Sequence, residues 1–335
     1  MKRHLVRFSW VALVATLSVQ YIKASESAEN GLLSLPSLPK AVTSFGAEVL
    51  DGWVYVYGGH TGKAHSYSVE TTLGDFVRLK LDGGSEWKTL PGATRAQGTR
   101  LFAYENAIYR VGGLQPRDEA GSEVGLYSLT EFARYDLEQR KWENLPPMPD
   151  ARSSHEAVIV ESKVLVGGGW KMEGEAGGKF WYDTMFIIDL AKPELKWEVV
   201  PQTFQRRALS AESVGSKVYF IGGMDTENDP SRKVNVYDVA TGEWSEGPMI
   251  PSGPMQGFGS AACRVDGRLI VSPYSAKVLA LNAAGDGWEF WGELRQRRFF
   301  HRIVPTSNGG LLAIAGASRR HGHLATLEMA VIKRR

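Results

Sequence analysis

Several things are scarce in this chain of 335 residues, and each scarcity narrows what it can be. A single cysteine, Cys263, excludes any internal disulfide, so the fold stands without one even in an oxidising compartment. Flanked by "GSAACRV", it reads as a small buried hydrophobe on a strand. The formal net charge is only +2, so the chain lacks the bulk positive charge that nucleic-acid binding draws on. Helical apolar periodicity does not persist for more than a few turns beyond the N-terminus. The G-x-S-x-G and H-E-x-x-H motifs are absent, as is a phosphate-binding glycine loop of the usual form.

One long apolar run is present, "FSWVALVATLSV" at 8–19, preceded by Lys2, Arg3 and Arg7 and followed by "YIKA". It is short for a membrane span and has the order of a secretory signal, cut after Ala24. The alternative is an uncleaved anchor or a neighbouring cut. Residues 1–24 are therefore expected to be a signal peptide and 25–335 a single mature domain, secreted, periplasmic or at the cell surface, with no stable membrane span. Removing 1–24 takes away Lys2, Arg3, Arg7 and Lys23, so 39 basic residues become 35 against 37 acidic ones, and +2 becomes −2.

What is plentiful is glycine, at 37 residues, and tryptophan, at 10, a pairing that favours many short strands and tight turns. The stretch "WVYVYGG" (53–59) recurs as "AIYRVGG" (107–113), "KVLVGGG" (163–169) and "KVYFIGG" (217–223), with worn copies "RLIVSP" (268–273) and "LLAIAG" (311–316). From Gly58 the first pair position moves to Gly112, Gly168, Gly222, Ser272 and Ala315, at intervals of 54, 56, 54, 50 and 43 residues. Such a period marks an array of supersecondary units. Each unit continues through an aromatic-aspartate strand to a tryptophan strand, as in "NVYDVATGEWSEGP" (235–248), making four antiparallel strands.

These motifs resemble the kelch repeat over nearly the whole mature chain. The resemblance implies an all-β, six-bladed kelch-type β-propeller with four antiparallel strands per blade. The last unit has no tryptophan strand after "LATLEMAVI" (324–332), whereas "LLSLPSLPKAV" (32–42) reads like the tail of one, so the N-terminal strand is expected to close the last blade. Proline at 273 costs its strand one backbone donor.

In a closed ring, equivalent loops gather on one face. The lead-in loops before each first strand repeatedly carry a basic residue: Lys40, Arg95, Arg152, Arg206 with Arg207, and Arg297 with Arg298. A ring of arginines at the channel mouth would suit a carboxylate, a sulfate or an acidic peptide. Loops after the glycines add His60, His65, Arg117, Asp118, Glu119, Trp170, Lys171, Glu173, Trp181 and Tyr182, aromatic platforms beside charged groups. Ligand-binding candidates are therefore Arg95, Arg152, Arg206, Arg207, Arg298, His60, Arg117, Trp170 and Trp181. Candidate acids for proton transfer are Glu156 and Glu212, with Glu48 on the same kind of strand.

No metal or other cofactor is expected. The weaker metal set is His60, His65, His321 and His323 from adjacent loops. The acids Asp225, Glu227 and Asp229 alternate as in a calcium loop, but Pro230 and Val236 stand where glycine and glutamate would be needed.

The leading expectation is a monomeric binding module for a protein, peptide or acidic carbohydrate. The alternative is a sugar-acting enzyme. The resemblance includes exported sialic-acid mutarotases, which would need an arginine and glutamate pair such as Arg152 with Glu156 or Arg206 with Glu212. It also includes copper radical oxidases similar to galactose oxidase, for which Cys263 has no assignable tyrosine partner. A scaffolding role is the third possibility.

Overall fold

The computed structural model describes residues 35–117, 125–253, 255 and 257–332. The expected signal segment and the positions of Asp118 and Glu119 lie outside the described residues. Alternating apolar side chains drive the repeats into six antiparallel sheets, and the innermost strands are Gly46–Leu50, Arg100–Tyr104, Ser153–Val160, Ser210–Val214, Ala261–Val265 and Arg302–Pro305. Each inner strand touches the one before and the one after, and the sixth touches the first, so the sheets form a closed ring around an axis.

The core is divided the same way. Six apolar clusters each draw on two consecutive sheets, for example Tyr55, Tyr57 and Phe76 of the first with Leu101, Ile108 and Tyr135 of the second. The tryptophans at the outer strands tie neighbouring sheets together: the indoles of Trp87, Trp142, Trp197, Trp244 and Trp288 donate to the carbonyls of Pro36, Pro91, Pro146, Pro201 and Pro248 at 2.8–3.1 Å.

The glycine pairs sit where adjacent sheets are closest. A Cβ on Gly58 would stand 2.4 Å from the Ala96 carbonyl oxygen, and its φ of +65° is a left-handed conformation that glycine adopts freely. The second residue of the pair donates its N–H to the next lead-in loop, Gly59 to Ala96, Gly113 to Arg152, Gly169 to Arg206, Gly223 to Gly257, and Gly316 to Val42, at 2.6–3.0 Å. Pro273 holds the matching place in the fifth unit, so the missing donor is the one that ties a sheet to its successor elsewhere.

Closure at the sixth sheet is looser than a full strand. That sheet has three strands, Arg302–Pro305, Leu311–Ser318 and Gly322–Met329. The chain at 35–42 lies beside the outermost, with Leu38 N donating to Ala325 O at 2.8 Å and Val42 N to Leu324 O at 3.0 Å, and is not itself a strand. The C-terminal Val331–Ile332 pairs instead with Trp288–Glu293 of the fifth sheet. No helix among the described residues is long and apolar enough to cross a membrane.

Candidate functional site

At the end of the channel where the lead-in loops gather, each unit places one residue in the left-handed region: Ser44, Gly98, Ser154, Ala208, Gly259 and Phe300, with φ between 51° and 60°. Their backbones bond in a circle. Gly98 donates to Ser44, Ser154 to Gly98, Ala208 to Ser154, Gly259 to Ala208, Phe300 to Gly259 and Ser44 to Phe300, at 2.6–3.3 Å. Five of the six side chains are absent or small, and Phe300 is the large one. Beneath the circle lies a cavity of about 40 Å³, lined also by His155, Glu156, Ser260, His301 and Arg302, with room for a few waters.

Deeper in, the channel is filled by charge. Arg302 Nη1 reaches Glu156 Oε1 at 2.5 Å from the sixth sheet to the third, and Arg100 Nε lies 3.0 Å from Glu156 Oε2. Arg100 also faces Glu48 at 3.8 Å and donates to Ala47 O at 2.8 Å. Glu212 takes Ser213 N at 2.8 Å, and burial raises its carboxyl pKa, as it does that of Glu48. Glu156 therefore pairs with Arg100 and Arg302 rather than with Arg152, and Glu212 is not bonded to Arg206.

The recurrent arginines differ from the expected ring at the mouth. Arg152, Arg206 and Arg298 are almost wholly buried. Each donates to the carbonyl of the first pair residue, Gly168, Gly222 or Ala315, at 2.7–2.9 Å, and to a carbonyl of the third strand or the residue just before it, Thr184, Lys233 or Thr326, at 2.6–3.1 Å. They pin the glycine turn to the sheet from inside. Arg152 lies against the rings of Tyr182 and Phe186, at 3.8 and 4.2 Å, and burial lowers its pKa and that of Arg206. Arg298 adds Glu328 at 2.8 Å. Arg95 is exposed and holds the loop after the first glycine pair through Val69 O and Thr72 O, both at 3.1 Å.

Arg207 is different. Its guanidinium carbon lies 4.1 Å from the Trp170 ring centroid and 5.7 Å from that of Trp181, and Nη2 approaches Met224 Sδ at 3.1 Å. The two indoles stand 5.5 Å apart on a hairpin formed where Lys163–Met172 runs past its glycines and pairs with Lys179–Trp181. Lys179 Nζ is 5.4 Å from Trp170, and Tyr67 of the first loop lies close enough to influence Arg207. Burial lowers the Arg207 pKa. A neighbouring hairpin, Leu114–Arg117 with Gly125–Ser128, bridges to this one through Tyr127 and Glu173, and carries Arg117, 4.6 Å over Tyr127.

Of the histidines, His60 is buried and meets His323 ring to ring at 5.5 Å, and burial lowers the pKa of both. His321 bonds Gln296 at 2.8 Å, and His65 is exposed. No group of three or more metal-ligating side chains gathers among the described residues. Asp225 serves its own loop, its Oδ1 taking Glu227 N and Asp229 N.

The structure thus brings Trp170, Trp181 and Arg207 together. It adds three things the sequence reasoning missed: the backbone circle, the Arg302–Glu156–Arg100 group, and aromatic contacts among Phe258, Tyr274, Phe299 and Phe300. The available signal was a residue thirteen to fifteen places before each first pair position, small in all but the last unit.

The kelch motif is matched at residues 205–248. Kelch-like protein 35 of Mus musculus is 25% identical over 237 residues, covering 70% of this chain and 35% of its own. The N-(sulfonatooxy)prop-2-enimidothioate sulfolyase of Thlaspi arvense is 26% identical over 235 residues, 62% of this chain and 63% of its own. Beta-scruin of Limulus polyphemus is 27% identical over 203 residues, 60% and 21%. The chain therefore spans between about a fifth and somewhat under two thirds of the length of these relatives. The solved structure of YjhT superposes with a TM-score of 0.72 at 14% identity, covering 90% of this chain and 100% of that one, a likeness of fold.

Proposed function

We propose that this kelch-repeat β-propeller is a monomeric binding module, exported through its N-terminal segment, that holds a protein, peptide or acidic carbohydrate on its lead-in-loop face. One observation carries the reading: Trp170 and Trp181 of one hairpin and Arg207 of the next lead-in loop form a half-buried cation and aromatic cluster on a rigid ring. Flat apolar faces beside an oriented donor are what such recognition needs. Kelch propellers are protein-binding scaffolds, and the matched motif and the kelch-like relatives support that use here. Arrays of peptides and acidic glycans probed with the full chain test it. Trp181→Ala should lower retention at least tenfold, whereas Val199→Ser on an outer strand should not; equal retention by both variants overturns the reading. N-terminal sequencing of the exported protein should begin at Ser25.

The second reading, a sugar isomerase or mutarotase, is favoured by Glu212, a channel carboxyl whose pKa burial raises. Anomer exchange of sialic acid followed by NMR, unchanged in Glu212→Gln, would sink it.

A further inference from the structure

Arg207 lies against an indole. Arg100, Arg110, Arg134, Arg268, Arg298 and Arg302 each have a carboxylate within 4 Å. Among the described residues Arg207 has none. Its Nε is buried without a hydrogen-bond partner, and so is the Trp170 Nε1 beneath it. Two unpartnered donors and a positive charge thus belong to one cation and aromatic contact, and donors left unpaired in this way cost stability.

The wall beyond Arg207 is apolar. Met224, in contact with it, follows Gly223, whose N–H bonds Gly257 O, and Gly257 leads into Phe258. Phe258 meets Phe300 at 5.0 Å and Phe299 at 6.3 Å, and Phe299 meets Tyr274 at 5.4 Å. Arg207, Phe258 and Phe299 each precede a member of the backbone circle, so they occupy one tier at the mouth. All three are half-buried.

We propose that this mouth binds a small organic carboxylate bearing an apolar body, such as an aromatic or branched aliphatic acid. The carboxylate accepts from Arg207 and Trp170 Nε1, and the apolar part covers Met224, Phe258 and Phe299. A guanidinium offers a carboxylate a planar pair of donors. A saccharide requires hydroxyl partners around its ring, and those three side chains supply none. The inference rests on the lead-in-loop face being the binding face, and it names the chemistry of one subsite there.

Titration of the full chain with 4-phenylbutyrate and with its neutral amide, followed calorimetrically and by tryptophan fluorescence, tests it. The acid should bind saturably and at least tenfold more tightly than the amide. Arg207→Met, which keeps an apolar chain on Trp170, should erase that difference, and Phe258→Ala should weaken acid and amide alike. Equal affinity for acid and amide, no response to Arg207→Met, or no saturation at millimolar concentration overturns the proposal. If the acid fails while Trp181→Ala still lowers retention on the arrays, the binding face stands and only the ligand class falls; if both fail, the face itself is wrong.

Discussion

Arg302 and Glu156 are 146 residues apart in sequence and meet at 2.5 Å across the axis, from the sixth sheet to the third. With Arg100 on its other oxygen, Glu156 joins three inner strands, those of the second, third and sixth sheets. The side chains are 15% and 4% exposed, so little water screens the pair.

Removing one partner leaves a buried charge incompletely matched. Arg302→Met should destabilise the chain by about 3 kcal/mol. Denaturant unfolding should also show that Glu156→Gln in the same chain recovers part of the loss, because the stranded charge is gone; a loss unchanged by the second substitution would mean that Arg302 acts through its bonds to Phe45 O and Thr99 O instead.

His155 and His301 should make the fold acid-sensitive. Burial, reinforced by nearby arginines, lowers both imidazoles from 6.5 to about 3. The unfolded chain takes up these protons below about 6.5 and the folded chain only near 3, so stability falls as pH drops through that window. Each site contributes up to about 1.4 kcal/mol per pH unit. His155→Leu, which copies Leu209 at the same place in the fourth unit, should move the acid midpoint of circular dichroism to lower pH.

Gly58 and Gly52 both have positive φ, at +65° and +74°, but only Gly58 is crowded. Gly52→Ala meets nothing within 4 Å and should cost about 1 kcal/mol. Gly58→Ala should cost more by at least ~2 kcal/mol, because the Ala96 carbonyl must move. Equal losses in thermal melts would show that the sheets can separate at little cost.

Arg152 and Arg207 lie in equivalent loops and should behave oppositely. Arg152→Met leaves Gly168 O and Thr184 O without their donor and should destabilise by about 2 kcal/mol while leaving ligand retention intact. Arg207→Met should leave the melting temperature unchanged or raised and reduce retention.

The sheet number, the strand order and the role of the glycine pairs were legible, because those residues answer to local rules repeated at a fixed period. The arginines show the limit. Arg152, Arg206 and Arg298 recur for the same reason as the glycines, to hold a turn in place, and spacing does not distinguish a guanidinium facing carbonyls from one facing solvent. Arg207, adjacent to one of them, looked no different on the page of letters. The Arg302–Glu156 pair was unreadable because only ring closure makes residues in the third and sixth units neighbours. Nor did Phe300 look equivalent to Ser44 or Gly98, since the backbone circle fixes its conformation whatever the side chain.

That circle has an electrostatic consequence. A helix terminus leaves aligned peptide groups pointing at solvent and so carries a field of its own. Here six N–H···O=C units run head to tail around an axis, so their in-plane moments cancel by symmetry. The backbone circle adds little potential of its own, and the sign felt by an approaching ligand is set by the side chains around it, Arg207 foremost.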